Sequence, residues 1–186
     1  MYEVNVKIEG ITPLLMNSSI GVDDDVIKKV TGSTSKLAEA EQVCFKKLYM
    51  MPDGTVYQPG IHVERMLSES AKNYKIKGKG KSTYSKIFGS AITVAPDAIP
   101  HLIKDWKVNA QNVVIPSTKG RVMCYRAEFP KWVLEFTIQV LDDQIPLEVV
   151  KQVIEYGGIY NGLGDFRPQK KGKFGKFMVT RFEKAE

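Results

Sequence analysis

The chain has 186 residues, of which 43% are hydrophobic and 26% charged. That is ordinary globular usage and sets aside global disorder. No apolar run approaches the ~18 residues of a membrane span, so no membrane partner is expected. Glu3 and Lys7 fall where a signal peptide would need its apolar stretch. The net charge of +6 favours polyanionic partners.

Two cysteines, Cys44 and Cys124, stand in no metal-binding spacing. This argues against a zinc module or a disulfide scaffold, fits a reducing cytosol and points to a cytoplasmic protein. Nothing in the sequence calls for a cofactor or a resident metal.

Residues 2–9 alternate, with Val4, Val6 and Ile8 on one side, which predicts a half-buried strand. Residues 17–35 are polar and broken by glycine, and read as an inserted loop or flap. A helix is predicted over 36–48, with Ser35 able to cap it and Leu37, Ala40, Cys44 and Leu48 forming a stripe. Turn signals follow at Pro52-Asp53-Gly54 and Pro59-Gly60. A second helix is predicted over 61–74. A short strand is read at 90–94. Residues 95–120 show little periodicity, with room for one strand and a turn at 116–120. Residues 132–140 alternate clearly, with Leu134, Phe136, Ile138 and Val140 on one face. Pro146 starts an amphipathic helix over 146–156, which Gly157 and Gly158 stop. A strand over 174–182 closes the chain. Met50-Met51 and Tyr156–Tyr160 read as core.

The order is strand, helix, an extended middle, strand, helix, strand. One added middle strand makes it an α+β, ferredoxin-like βαββαβ arrangement, an antiparallel sheet with both helices on one face. The whole of 1–186 is then one domain, with insertions at about 17–50 and 95–128. The open face of such a sheet binds RNA in RNA-recognition domains.

Positive charge is concentrated. Lys75–Lys86 holds five lysines, two glycines and no acid, and Arg167–Lys176 holds one arginine, four lysines, two glycines and no acid. One such segment is an ordinary solvated loop; two in a small domain favour a phosphate-binding surface. The sequence 78–82 is not a P-loop, because position 75 is Lys where that motif needs Gly.

Tyr160–Lys176 reads YNGLGDFRPQKKGKFGK. It resembles the glycine-rich loop between the last helix and last strand of the RAMP superfamily, the RNA-binding proteins of CRISPR systems. Gly162, Gly164, Arg167, Gly172, Phe174 and Gly175 carry the likeness, although the order is Gly-Lys-Phe-Gly and the loop is longer. Residues 57–71, YQPGIHVERMLSESA, are similar to the first-helix segment of the subunits that line CRISPR guide RNA. Gln58-Pro59-Gly60 and Arg65-Met66-Leu67 stand at its two ends.

The resemblance implies a single-stranded RNA-binding subunit, repeated head to tail along a guide RNA, and a binding protein rather than an enzyme. The expected nucleic-acid contacts are Lys75, Lys77, Lys79 and Lys81 in a thumb-like loop, Arg65 on the first helix, and Gly162, Gly164, Phe166, Arg167, Lys170, Lys171, Lys173, Phe174 and Lys176 in the glycine-rich loop. Glycines admit positive φ, their N–H groups make anion nests, and Phe166 and Phe174 offer either rings for bases or anchors to the core. Two alternatives stand beside this. One is a metal-dependent ribonuclease using the flap carboxylates Asp23, Asp24 and Asp25, where the resemblance places a cleavage aspartate, or else His62 as an acid–base group. The other is a phage single-stranded-DNA-binding protein of the same fold.

Overall fold

The computed structural model describes residues 1–18, 37–114, 117 and 119–185. Asp23, Asp24, Asp25, the flap reading, Ser35 and the side chain of Leu37 lie outside the described residues, as do Pro116 and Thr118 of the expected turn. The chain is α+β with antiparallel sheets. No helix among the described residues is long and apolar enough to cross a membrane.

Strand β1 (Tyr2–Gly10) runs down the middle of the main sheet. It pairs antiparallel with β8 (Val133–Val140), setting Val4 opposite Ile138, Val6 opposite Phe136 and Ile8 opposite Leu134. All six side chains are buried, so a slip of one residue would turn both apolar rows to solvent; burial fixes the register. β4 (Ile92–Ala95) pairs with the far edge of β8, and β9 (Phe177–Lys184) with the other edge of β1, across an irregularity at Lys7 and Ile8. The strand order is β4-β8-β1-β9.

Two helices cover the apolar face. The first of these, α2 (Gly60–Ser70), presents Val63, Met66 and Leu67; α4 (Leu147–Tyr156) presents Val150, Val153 and Ile154. The end of α4 departs from expectation. Gly157 and Gly158 do not stop it; the backbone widens into a π-helical turn over Gly157–Asn161, and the chain turns away only at Gly162, with φ 69°. Ser70 on α2 accepts a hydrogen bond from the Asn161 amide at 2.7 Å, tying that turn to the other helix.

The regions expected as insertions form a layer of their own. Helix α1 (Leu37–Lys46) packs on the hairpin of β6 (Lys107–Val114) and β7 (Arg121–Phe129), and β7 pairs on its other side with β2 (Leu14–Met16). The sequence reading misses β7. Its inner end is buried continuously from Arg126 to Phe129, so alternation is lost there. It also misses α3 (Ser85–Ala91), a single seven-residue piece anchored by Phe88, and the short pair β3 (Tyr57–Pro59) and β5 (Ala98–Pro100).

The open face of the main sheet is mostly polar, and several of its side chains pair with one another. Lys7 and Arg181 both reach Glu135, at 3.3 and 3.6 Å. Thr137 donates to Asn5, and Gln139 joins Glu3 to Thr93. The outward positions carry no aromatic ring for a base to stack on, in contrast to the RNA-recognition arrangement expected for this face.

Candidate nucleic-acid interface

The glycine-rich loop is held at its base by the strand-to-strand passage 13–15. Gly175 donates its N–H to Pro13, Asp165 to Leu15, and Leu163 to Gly175. The tip closes on itself: Phe174 bonds to Phe166, and Lys170 and Gly172 to Arg167. Gly175 is obligatory here. Its φ is +72°, and a Cβ would overlap the carbonyl of Leu163. This closure changes the expected chemistry. N–H groups foreseen as an open anion nest are mostly spent inside the loop, so side chains must supply the attraction.

Those side chains gather in one cleft of about 500 Å³. Its floor is Leu15, Met16 and Leu163. One wall is α2 with the strand before it, β3, giving Gln58, His62, Arg65 and Glu69; the other is the loop, giving Gly162, Gly164, Asp165, Arg167, Gln169 and Lys170. The two segments that carry the family likeness, about a hundred residues apart in sequence, therefore face each other.

The charges in this cleft are not balanced. Glu69 is held by Lys72 at 2.6 Å, and Asp165 by Arg126 and Asn17. Among the described residues Arg167 contacts neutral acceptors alone, the Gly164 carbonyl at 3.0 Å and Gln169 at 3.1 Å. Arg65 and Lys170 form no ion pair among the described residues. Three cations thus remain to meet an anion in a half-enclosed space, where solvent screens them less than on an open surface.

His62 sits within this wall, edge-on to Tyr49 at 5.4 Å between ring centroids. Its Nδ1 lies 2.9 Å from the Gln58 amide nitrogen. Burial lowers its pKa, and Arg65 and Arg167 lower it further. A neutral ring whose Nδ1 accepts from Gln58 carries its proton on Nε2, so toward a ligand it is a hydrogen-bond donor. Among the described residues no carboxylate hydrogen-bonds to it, as a His-based acid–base pair would need. Among the described residues, no group of three His, Cys, Asp or Glu side chains is placed to hold a metal ion.

The remaining expected contacts divide. Phe174 is buried at 6% exposure and anchors the loop. Phe166 is half-buried, with the Arg126 guanidinium 4.8 Å over its ring, so one of its faces is taken. Lys171 and Lys173 are exposed at the tip, outside the cleft lining, and Lys176 donates its backbone N–H to Thr12. Lys75, Lys77, Lys79 and Lys81 do not line the cleft either. Their segment is a closed hairpin rather than a long loose loop: Ile76 bonds to Ser82, Tyr84 to Tyr74, and Gly78 and Gly80 take positive φ at its tip.

Sequence reasoning misses Gln58 and Gln169 as polar wall residues, and Arg126 and Asp165 as the pair that sets the loop. Asp165 lies inside the glycine-rich motif and is open to suspicion there. Arg126 comes from β7, which shows no strand pattern of its own. No protein-family model matches this chain, and no curated protein sequence matches it.

Proposed function

We propose that this chain binds single-stranded nucleic acid, with RNA as the strand, through the cleft between α2 and the glycine-rich loop. One observation carries the reading: residues 57–71 and 160–176 converge on one cleft in which Arg65, Arg167 and Lys170 have no acidic partner among the described residues. The strand order β4-β8-β1-β9, with α2 and α4 on one face, supports a ferredoxin-like fold of the RAMP type, since it matches the split βαβ arrangement. The reading extends to copies placed head to tail along a guide RNA. Such contacts are heterologous and leave an open array.

Phosphate contacts release counterions, so binding must weaken with salt. Replacing Arg65, Arg167 and Lys170 together by Ala should lower the log–log salt slope by about 2, at about 0.7 per contact to a single strand. Fluorescence anisotropy of a labelled uridine oligomer across a salt series measures this. An unchanged slope and affinity in a folded triple variant would sink the proposal.

A further inference from the structure

Beside the cleft lies a row of three tyrosines. Tyr160 stacks on Tyr156 at 4.5 Å and 30° between the rings, and Tyr156 meets Tyr74 edge-on at 6.1 Å. Tyr74 is fixed by donating its hydroxyl to the Gln152 carbonyl at 3.0 Å. The sequence pattern assigns 156–160 to the core, yet Tyr160 is 60% exposed and its neighbour Ile159 40%. The π-helical turn makes this possible. Its wider backbone carries Tyr160 past the apolar stripe of α4 while keeping the ring over Tyr156.

The row connects two cationic places. Gly162, two residues after Tyr160, lines the cleft. At the other end Tyr74 opens the hairpin that exposes Lys75, Lys77, Lys79 and Lys81. Burial raises the pKa of Tyr74, and Tyr156 and the Glu155 carboxylate add to that; the four lysines of the hairpin beyond it are exposed.

We propose that Tyr160, backed by Tyr156, is a stacking platform for an unpaired base of a strand leaving the cleft toward the lysine hairpin. This rests on the function proposed above and extends its site from one cleft to a path. An exposed aromatic face next to a run of lysines and glycines suits a single strand, because every base offers a π-face and every linkage a phosphate. A base on Tyr160 would cover an apolar ring that water otherwise wets, and Tyr156 beneath, packed against Tyr74, reduces the ordering cost of binding.

The test compares uridine oligomers of about 4 and about 12 nucleotides, both within the roughly 4–16 nucleotides that a single-strand-binding module spans. Tyr160→Ala is expected to weaken the longer oligomer by about 5- to 150-fold, the loss typical of one stacked base, and to leave the shorter one unchanged. Tyr160→Phe should stay near the parent chain, since the ring is kept. Arg167→Ala should weaken both oligomers. If Arg167→Ala weakens both but Tyr160→Ala binds the longer oligomer like the parent, the platform is wrong and the cleft stands. The platform is equally wrong if Tyr160→Ala changes only sedimentation, which would mark the row as a protein contact. If the parent chain binds neither oligomer, both readings fall together.

Discussion

Asp165→Ala is expected to destabilise the protein by about 3 kcal/mol, the low end for breaking a buried pair because Asp165 itself is one-third exposed. The asymmetry of the pair sets the size. The Arg126 side chain is only 6% exposed, and its Nη1 has no partner among the described residues. Removing Asp165 strands that guanidinium with even less compensation. It also removes the acceptor for the Asn17 amide and for the Phe166 N–H, so the loop loses its anchor to β7 and its local turn together. Arg126→Met should cost less, since Asp165 can hydrate once its partner is gone. The double variant Arg126→Met, Asp165→Ala should recover most of the loss, because it leaves no buried charge behind. Urea unfolding of the four proteins measures all three values. A double variant no more stable than Asp165→Ala alone would show that the guanidinium is not the source of the cost.

Acid should destabilise the fold through His101. Its ring is buried at 2% exposure, lies tilted against Phe129 with centroids 4.9 Å apart, and has no hydrogen-bond partner at either nitrogen among the described residues. Burial pushes its pKa down to about 4 from an ordinary 6.5. The native state therefore keeps the ring neutral while the unfolded chain takes up a proton below that ordinary value. The stability tied to this difference is whole above pH 6.5 and drains as pH falls to about 4. Its full size is about 3 kcal/mol, at about 1.36 kcal/mol per pKa unit. Thermal unfolding from about pH 7 to about pH 4 should show that loss, and His101→Phe should flatten the curve in that window. An equal pH slope in the variant would assign the loss to other groups.

The main sheet is legible in the sequence because β1 and β8 are each buried on one face, so their residues alternate without a break. The amphipathic α4 is legible for the same reason at helical period. What the sequence hides shares a different cause. β7 changes from half-buried to fully buried partway along, and α3 is too short to show a period. The glycine-rich loop stands out as a motif, but its inward-turned N–H groups depend on Pro13 and Leu15, at the opposite end of the chain. The convergence of α2 on that loop is likewise a product of packing, fixed by contacts such as Asn161 to Ser70 that no local pattern announces. Tyr160 reads as core because aromatic spacing after an amphipathic helix usually means core. The π turn, which sequence period cannot show, carries it to the surface.

The most direct measurement of where a strand lies is photocrosslinking of a uridine oligomer carrying 4-thiouridine, followed by mapping of the adducts. Adducts are expected on the two walls of the cleft, in the peptides holding Gln58, His62 and Arg65 and those holding Arg167 and Lys170, and the signal should be lost in the triple cation variant. Adducts confined to the outward residues of β1, β8 and β9, with the cleft peptides clean, would contradict the account and return the site to the open face of the sheet.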